Sequence, residues 1–240
     1  MLVECNLCGW SGEQFDPRFR EGGRRVVCPS CLSLDRNRHL WCLLQEFSPL
    51  DAGTSLLDIA PSPALTARIE PRCRYVSIDV QAATPAVIPM NVTRIEFPSD
   101  YFSVVLCSDV LEHVRDDDAA LHEIHRVLRP SGVLFLRVPY SDELAATDEW
   151  SVPDEHGHWR NYSPTDIADR LGALGFHTRR ANLRRELPRL RLDRLDTFVA
   201  RKAAGPQTHD WDYALLDWAA GRRAADTREP RSFNRKPIST

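Results

Sequence analysis

The chain has 240 residues, of which 42% are hydrophobic and 27% are charged, and its formal net charge is −3. This length accommodates one medium α/β domain with a small appendage and excludes two large domains. The slightly negative net charge excludes a global field that would attract nucleic acid or an anionic membrane surface.

The chain begins without the basic and apolar regions of a signal peptide. It also has no run of 18 consecutive apolar residues, the minimum for a membrane-spanning helix. We therefore expect no membrane partner and a cytoplasmic location.

Four cysteines near the start of the chain form two Cys-x-x-Cys pairs. Cys5 and Cys8 make the first pair, and Cys28 and Cys31 make the second after 19 intervening residues. Zinc takes four ligands in a tetrahedron, and two such turns joined by a hairpin supply four thiolates. Without a secretion signal, paired cysteines bind metal more often than they form disulfides. We predict a closed, structural Zn²⁺ site; four unligated thiols and an iron site of rubredoxin type are the alternatives.

The cysteines define the first of three predicted segments. Residues 1–33 form a zinc ribbon, in which Gly9 supplies the positive φ that the first turn demands. Residues 34–204 form an α/β domain. Residues 205–240 contain one short helix near 211–218 and a polar tail.

A helix is predicted directly after the ribbon, because apolar residues from Leu34 to Phe47 recur at helical spacing and Pro49 follows them. From residue 54 the pattern changes to short, β-branched apolar runs separated by helical or loop segments. Each run is nearly continuous, which is typical of a parallel strand buried on both faces. The predicted strands are 55–59, 75–80, 87–92, 102–107, 133–138, 176–181 and 195–200.

Two helices between these strands carry clear end signals. Asp116 can cap a helix that runs through Leu128 and is closed by residues 130–132. Ser163, followed by Pro164, can cap another helix that ends at Gly175. Strands alternating with helices predict a doubly wound α/β sheet with right-handed crossovers.

Several stretches resemble, in order and spacing, the motifs of class I S-adenosylmethionine (SAM)-dependent methyltransferases of the broad type 11 group. Residues 55–60 resemble the first strand and its turn, and Asp79 ends the second strand with an acid. Residues 100–114 resemble the fourth strand and the turn after it, and residues 123–132 resemble the following helix and loop. The resemblance covers roughly residues 50–200. It implies a Rossmann-like, doubly wound, seven-stranded sheet, SAM as cofactor and methyl transfer as the reaction.

The resemblance also implies cofactor contacts. Asp79 would bind the ribose hydroxyls, Asn91 would take the place of an acid that holds the adenine amino group, and Ser108 would lie with Asp109 under the methionine end. Arg36 and Arg38 are candidates for the SAM carboxylate, because a guanidinium binds a carboxylate bidentately. The complete predicted set is Arg38, Asp58, Ala60, Ser62, Asp79, Val80, Asn91, Val92, Ser108 and Asp109.

The turn after Asp58 departs from the family pattern. Ala60, Ser62 and Ala64 stand at the three usual glycine positions, and Pro61 and Pro63 lie between them. Small residues allow the backbone to approach the cofactor if φ stays negative, and the prolines would make the turn rigid. The alternative is a domain that keeps the fold and has lost SAM.

Three histidines are candidate catalytic bases. His113 follows the fourth strand, where the family often has His near the methyl group; His156 and His158 lie between the fifth strand and the next helix, where the acceptor pocket forms. His156 and His158 do not by themselves predict a second metal site, since no third-ligand pattern lies near them in the sequence. Tyr140, Trp150 and Trp159 could form a wall of the acceptor pocket.

We predict a small-molecule or short-peptide acceptor. The alternative is an RNA or protein methyltransferase whose zinc ribbon is a docking module, helped by the arginines in residues 18–25 and 179–194. The net acidity and the lack of an aromatic-basic stripe count against nucleic acid as a partner. A non-catalytic scaffold follows only if SAM is not bound. The sequence makes no prediction of oligomeric state.

Overall fold

The structure is a computed structural model that describes residues 2–16, 20–21, 24–25, 27–82, 84–181 and 196–204. For residues 20–21 and 24–25 it describes the backbone alone. The predicted helix near 211–218, the polar tail and the arginines in 182–194 lie outside the described residues.

The N-terminal segment consists of two antiparallel strand pairs and two cysteine turns. The strands are β1 (Val3–Glu4) with β2 (Ser11–Gly12), and β3 (Arg20–Glu21) with β4 (Arg24–Arg25). The Gly9 amide closes the first turn by donating to the Cys5 carbonyl at 2.8 Å, and the Leu32 amide donates to the Cys28 carbonyl at 2.9 Å. Gly9 has φ 77°, which confirms the predicted positive φ; Leu32, at the equivalent place in the second turn, has φ 59°.

Helix α1 (Asp35–Phe47) follows the ribbon and ends before Pro49, as predicted. The side chain of Asn37 accepts a hydrogen bond from the Leu34 amide at 2.9 Å and so satisfies a free donor at the helix start. The face formed by Leu40, Trp41, Leu43 and Leu44 is buried.

The α/β domain is built on one seven-stranded sheet. In chain order the strands are β5 (Ser55–Ile59), β6 (Arg74–Asp79), β7 (Ile88–Pro89), β8 (Phe102–Ser108) and β9 (Leu128–Arg137), then the separate pair β10 (Asp148–Glu149) and β11 (Arg160–Asn161), then β12 (Phe176–Ala181) and β13 (Thr197–Lys202). Across the sheet the order is β7-β6-β5-β8-β9-β13-β12. All neighbours are parallel except β13, which is antiparallel to β9 and β12. This confirms the predicted Rossmann-like fold.

The strand order reverses between β5 and β8. From β5 the chain builds outward through β6 and β7, then returns to place β8 on the other side of β5. In open α/β sheets a ligand crevice forms at such a switch point, beyond the carboxyl ends of the strands. The cofactor residues are therefore expected at this edge.

The predicted third strand is too long. Residues 87–92 were expected in the sheet, but pairing covers only Ile88–Pro89. Pro89 lacks an amide proton to extend the ladder, and the Asn91 side chain accepts a hydrogen bond from the Thr93 amide at 3.0 Å, which turns the chain away.

The remaining helices cover the sheet: α2 (Pro63–Ile69), α3 (Asp117–Val127) and α4 (Pro164–Ala173). Both predicted caps are confirmed, since Asp116 accepts from the Ala119 amide and Ser163 from the Asp166 amide. Gly175 follows α4 with φ 90°. Helix α3 ends one residue earlier than predicted, because Leu128 already pairs with Phe102 in the sheet.

The hydrophobic core lies between the sheet and these helices. Strands β5 and β8 are buried along almost their whole length, which explains their continuous apolar sequences. In the part of the chain that the structure describes, every helix is too short or too polar to cross a bilayer.

Candidate functional site

The four cysteines of the ribbon converge on one point. Their sulfur atoms all lie within 4.8 Å of one another, and the Cys5–Cys31 and Cys8–Cys28 pairs are both 3.6 Å apart. Tetrahedral zinc with bonds of about 2.3 Å places its sulfurs about 3.8 Å apart. The arrangement therefore fits a Zn²⁺ ion with all four positions filled by the protein.

Arg38 belongs to this cluster and not to the cofactor crevice. Its side chain is fully buried, its guanidinium lies 3.9 Å from the centre of the Phe15 ring, and it donates to the Ser33 carbonyl at 2.9 Å. Ser33 in turn has its hydroxyl 3.3 Å from the Cys5 sulfur. The prediction that Arg38 binds the SAM carboxylate is wrong, because a guanidinium enclosed in this way cannot receive a ligand from solvent.

The turn after β5 keeps the glycine-like backbone conformation without glycine. Ala60 has φ 57°, and its amide donates to the Ile78 carbonyl of β6 at 2.9 Å. Ser62 then precedes the first residue of α2. The condition that φ stays negative is not met at Ala60. The chain must reverse immediately after Ala60 bonds to β6, and a left-handed residue makes that reversal at a cost of about 1–2 kcal/mol.

Asp58 is enclosed beneath this turn. Its side chain is 4% exposed, and its Oδ2 accepts the hydroxyl of Tyr75 at 2.8 Å. Burial raises the pKa of Asp58 to about 7, and the Tyr75 hydrogen bond offsets this only in part. The Thr66 hydroxyl, from helix α2, lies 2.9 Å from the same Tyr75 oxygen. These contacts tie Asp58 and β6 to the helix that follows the turn.

The residues that are predicted to bind the nucleoside part of SAM lie at or just after the ends of β6 and β7. Asp79 is half-buried at the end of β6, and its Oδ1 accepts the Gln81 amide at 2.8 Å. Val80 is 66% exposed and Asn91 is exposed, so both can contact a bound ligand. Val92 is 4% exposed and packs in the hydrophobic core, which removes its side chain from the predicted set.

At the end of β8 an acid is held between two arginines. Asp109 has φ 58°, and its carboxylate contacts Arg36 at 3.2 Å and Arg137 through Oδ1. The hydroxyl of Ser108 donates to Asp109 Oδ2 at 3.3 Å. Arg36 thus lies at the crevice, as predicted. Arg137 was not predicted; it stands opposite Ser108 in the register of β8 and β9.

Glu112 is a site residue that the sequence analysis missed. It lies in a 3₁₀ turn, Leu111–His113, that follows β8, and it is 2% exposed. Burial raises its pKa to about 8, with a further contribution from the negative charge of Asp109. Its Oε2 has no hydrogen-bond partner among the described residues. The only signal in the sequence is its position in Val-Leu-Glu-His-Val, directly before His113.

Two of the three predicted histidines meet beside Glu112. The rings of His113 and His158 have centroids 4.8 Å apart, and ligand atoms of Glu112, His113 and His158 all lie within 4.8 Å of one another. We call these three residues the Glu-His-His cluster. His156 lies outside it, with a side chain that is 69% exposed. No third-ligand pattern lies near His158 in the sequence; the fold brings Glu112 and His113 beside it from the 3₁₀ turn that follows β8.

A cavity of about 550 Å³ opens beyond the end of β9. Tyr140 lines it, and the Tyr140 hydroxyl donates to Asp196 at 2.8 Å. The other described residues that line it are Arg137, Val138, Pro139, Ser141, Asp142, Glu143 and Asp196. Trp150 and Trp159 do not line this cavity; the Trp159 ring packs under Arg115, 5.2 Å from its guanidinium carbon.

Curated relatives carry methyltransferase names. A ubiquinone biosynthesis O-methyltransferase of Xanthomonas campestris pv. campestris is 26% identical over 153 residues, which is 60% of this chain and 62% of that protein. The ubiquinone/menaquinone biosynthesis C-methyltransferase UbiE of Vibrio campbellii is 41% identical over 61 residues, which is 24% of each chain. The chain thus spans less than two thirds of the length of these relatives.

Solved structures share the fold. The 1,6-didemethyltoxoflavin-N1-methyltransferase of Burkholderia thailandensis, solved with 1,6-didemethyltoxoflavin and S-adenosylhomocysteine, has a TM-score of 0.53 at 19% identity and covers 70% of this chain and 78% of its own. The [4+2]-cyclase SpnF has a TM-score of 0.54 at 18% identity over 70% and 81%. At such identities the likeness establishes architecture alone.

The family match covers more of the chain than either of these curated relatives does. Residues 1–181 match the family described as a methyltransferase domain, the type 23 group, whereas the motifs had suggested the type 11 group. The match covers the sheet through β12 and both sides of the crevice. The chain therefore belongs to the methyltransferase domain family of class I SAM-dependent methyltransferases.

Proposed function

We propose that the chain transfers the methyl group of SAM to a small-molecule or short-peptide acceptor. One observation carries the proposal: the carboxyl edge of the sheet places Asp79 at the end of β6 and the Arg36–Asp109 pair at the end of β8, on either side of β5. A carboxylate accepts hydrogen bonds from the ribose hydroxyls of SAM, and a guanidinium donates hydrogen bonds to the carboxylate of its methionine part. The quinone-pathway names of the curated relatives favour an aromatic acceptor.

The reaction is an in-line displacement at the methyl carbon. An electron pair of the acceptor forms the new bond to carbon, the carbon–sulfur pair returns to sulfur, and the sulfonium becomes the thioether of S-adenosylhomocysteine. Positioning alone can supply about 7–11 kcal/mol. A hydroxyl or amine acceptor also loses a proton, and a ring nitrogen of His113 or His158 is the candidate base for it wherever that nitrogen does not bind a metal.

Asp109 would hold Arg36 in position to bind the SAM carboxylate. In the structure the Arg36 Nε contacts Asp109 Oδ2, while Asp109 also contacts Arg137. A bound SAM carboxylate would be a second anion beside Asp109 in contact with Arg36. Asp109 then orients the arginine and does not itself need to contact the methyl group.

We further propose that the ribbon holds one structural Zn²⁺ through Cys5, Cys8, Cys28 and Cys31. The sulfur separations support this, and so does the buried guanidinium of Arg38, whose charge interacts with Cys5, Cys28 and Cys31. A tetrathiolate zinc centre carries two negative charges, which a nearby buried cation offsets. So small a segment would take much of its folding free energy from the metal.

Calorimetric titration with S-adenosylhomocysteine tests cofactor binding. We expect saturable binding by the full chain and about 10–100-fold weaker binding by Asp79→Ala, because hydrogen bonds to a charged group are lost. Arg74→Ala is the matched control, since Arg74 is exposed at the opposite end of the same strand. No heat at high ligand excess would leave only the non-catalytic scaffold.

Two further measurements complete the test. Metal analysis should give one zinc per chain, and Cys28→Ser should lose it. A gel shift with RNA at about 50 mM salt addresses the alternative acceptor, because phosphate contacts are strongest at low salt. Salt-sensitive binding there would replace the small-molecule assignment with the docking-module alternative.

A further inference from the structure

We propose that Glu112, His113 and His158 form a second metal site, distinct from the ribbon, which binds one divalent first-row transition ion. The Glu-His-His cluster brings together one carboxylate and two imidazoles, with ligand atoms within 4.8 Å of one another. Two imidazole nitrogens and one carboxylate oxygen form a ligand set that leaves coordination positions open. The ribbon differs, because its four thiolates fill a tetrahedral ion completely.

The buried carboxylate provides independent evidence for a ligand. Glu112 is 2% exposed, yet its Oε2 has no hydrogen-bond partner among the described residues. A buried polar atom left without a partner is destabilising, and a charged group is more so. A cation held between Glu112 and the two histidines would satisfy this oxygen.

Both imidazoles are oriented by an oxygen at Nδ1. His113 Nδ1 lies 3.2 Å from the Gly157 carbonyl, which can only accept, so Nδ1 carries the proton. His158 Nδ1 lies 3.4 Å from a carboxylate oxygen of Asp154. A proton on His113 Nδ1 leaves the lone pair of that ring on Nε2 for a metal, and an outer oxygen partner of this kind is typical of metal-bound histidines.

Hydrogen bonds to main-chain carbonyls hold the two halves of the cluster together. The Trp159 amide donates to the Glu112 carbonyl at 2.7 Å. The guanidinium of Arg160, which is 4% exposed, donates to the carbonyls of Leu111 at 3.2 Å, Val114 at 2.6 Å and Arg115 at 2.8 Å. The loop that carries His158 is therefore fixed against the turn that carries Glu112 and His113, as a preformed metal site requires.

The site narrows the acceptor class, a step that rests on the proposed function. Open positions on the ion suit an acceptor with two adjacent oxygens, such as a catechol or a hydroxycarbonyl compound. Coordination lowers the pKa of a bound hydroxyl, which favours its ionised form as nucleophile. Its proton leaves to water, its oxygen pair forms the bond to the methyl carbon, and the carbon–sulfur pair returns to sulfur.

Cobalt binding to the full chain loaded with one equivalent of zinc, which the four thiolates of the ribbon take, tests the site without reference to activity. We expect one Co²⁺ per chain with weak visible bands, and none of the strong near-ultraviolet absorption of thiolate-bound cobalt. His113→Ala and His158→Ala should each weaken binding about 10–100-fold, and Glu112→Gln should do the same while keeping the side-chain size. His156→Ala, in the same loop but outside the cluster, should bind as the wild type does.

Three outcomes would overturn the proposal: no cobalt bound by the zinc-loaded wild type, thiolate absorption alone, or equal affinity in the wild type and His158→Ala. S-adenosylhomocysteine affinity is measured on the same samples before cobalt is added. If the wild type does not bind S-adenosylhomocysteine, the proposed function is refuted. The cobalt result still decides whether the metal site exists. Addition of 3,4-dihydroxybenzoate should shift the cobalt bands and 4-hydroxybenzoate should not; identical spectra would refute the acceptor class.

Discussion

The Nε of Arg36 lies 3.2 Å from Oδ2 of Asp109, and this contact joins the first turn of α1 to the left-handed residue after β8. The two side chains are about equally exposed, at 26% and 27%, so neither is sealed from solvent. Helix α1 thus contributes a cation to the edge of the sheet where the cofactor is expected.

Replacement of this arginine should weaken cofactor binding. We expect Arg36→Ala to lower the affinity for S-adenosylhomocysteine by about 10–100-fold, because a charge-assisted pair with the ligand carboxylate is lost. Arg36→Lys should recover part of the affinity, since it keeps the charge and loses the bidentate geometry. Calorimetry measures both. An affinity in Arg36→Ala equal to that of the wild type would assign the carboxylate to another cation, with Arg137 the first to test.

The left-handed conformation at Ala60 predicts an unusual pair of stability changes. Ala60→Gly should raise the free energy of unfolding by up to about 1 kcal/mol, because relief of the strained φ exceeds the added chain entropy. Ala60→Val should lower it, since a β-branched residue is poorly accommodated at φ 57°. Urea unfolding measures both. If glycine is the less stable of the two, the turn does not have the described conformation in solution.

Arg38 should control how firmly the ribbon retains its metal. We expect Arg38→Met to accelerate zinc release to a chromogenic chelator by about tenfold or more, because a buried positive charge beside the thiolates is removed. Arg36→Met is the control, since Arg36 lies on the same helix and contacts Asp109 instead. Equal release rates in the two variants would contradict a charge-balancing role for Arg38.

His39 should make the fold sensitive to acid. It is fully buried, and burial lowers its pKa to about 4, with a further contribution from the Arg137 charge. The unfolded chain takes up a proton at this residue below about pH 6.5, whereas the folded chain does so only near pH 4. The contribution of His39 is therefore complete above pH 6.5 and falls as the pH drops, by about 2 kcal/mol at pH 5.

Urea unfolding at pH 7 and pH 5 measures this dependence. His39→Gln should lose less stability between the two values than the wild type does, whatever its stability at pH 7. His122→Gln, at an exposed position on α3, should retain the wild-type dependence. The same pH dependence in all three chains would show that His39 is not held neutral by burial.

Much of the fold was predictable because its signals are local. Strands 55–59 and 176–181 have the predicted bounds. The capping side chains of Asp116 and Ser163 start helices where they were expected. The third strand was overestimated because a proline and an asparagine turn stop pairing in a run that still looks apolar.

The site was harder to predict because its members meet through long-range packing. Arg137 reaches Asp109 only through the register of β8 and β9, and Arg160 brings His158 to the turn after β8 by bonding to its carbonyls. Glu112 gave no signal of burial in the sequence. Arg38 was misassigned because helical spacing does not reveal which residue of a helix faces a neighbouring ribbon.

Helix α1 presents Arg36 to the crevice and encloses Arg38 against the cysteine turns, two residues apart. The Asn6 side chain adds a bond from the ribbon to the Arg38 carbonyl at 3.0 Å. The ribbon is thus no detachable module: a chain shortened to begin at α1 would expose the Arg38 side chain and the apolar surface around it. Truncation at this junction, or replacement of the ribbon by an unrelated one, should reduce solubility. We expect that effect to appear before any change in the substrate that is accepted.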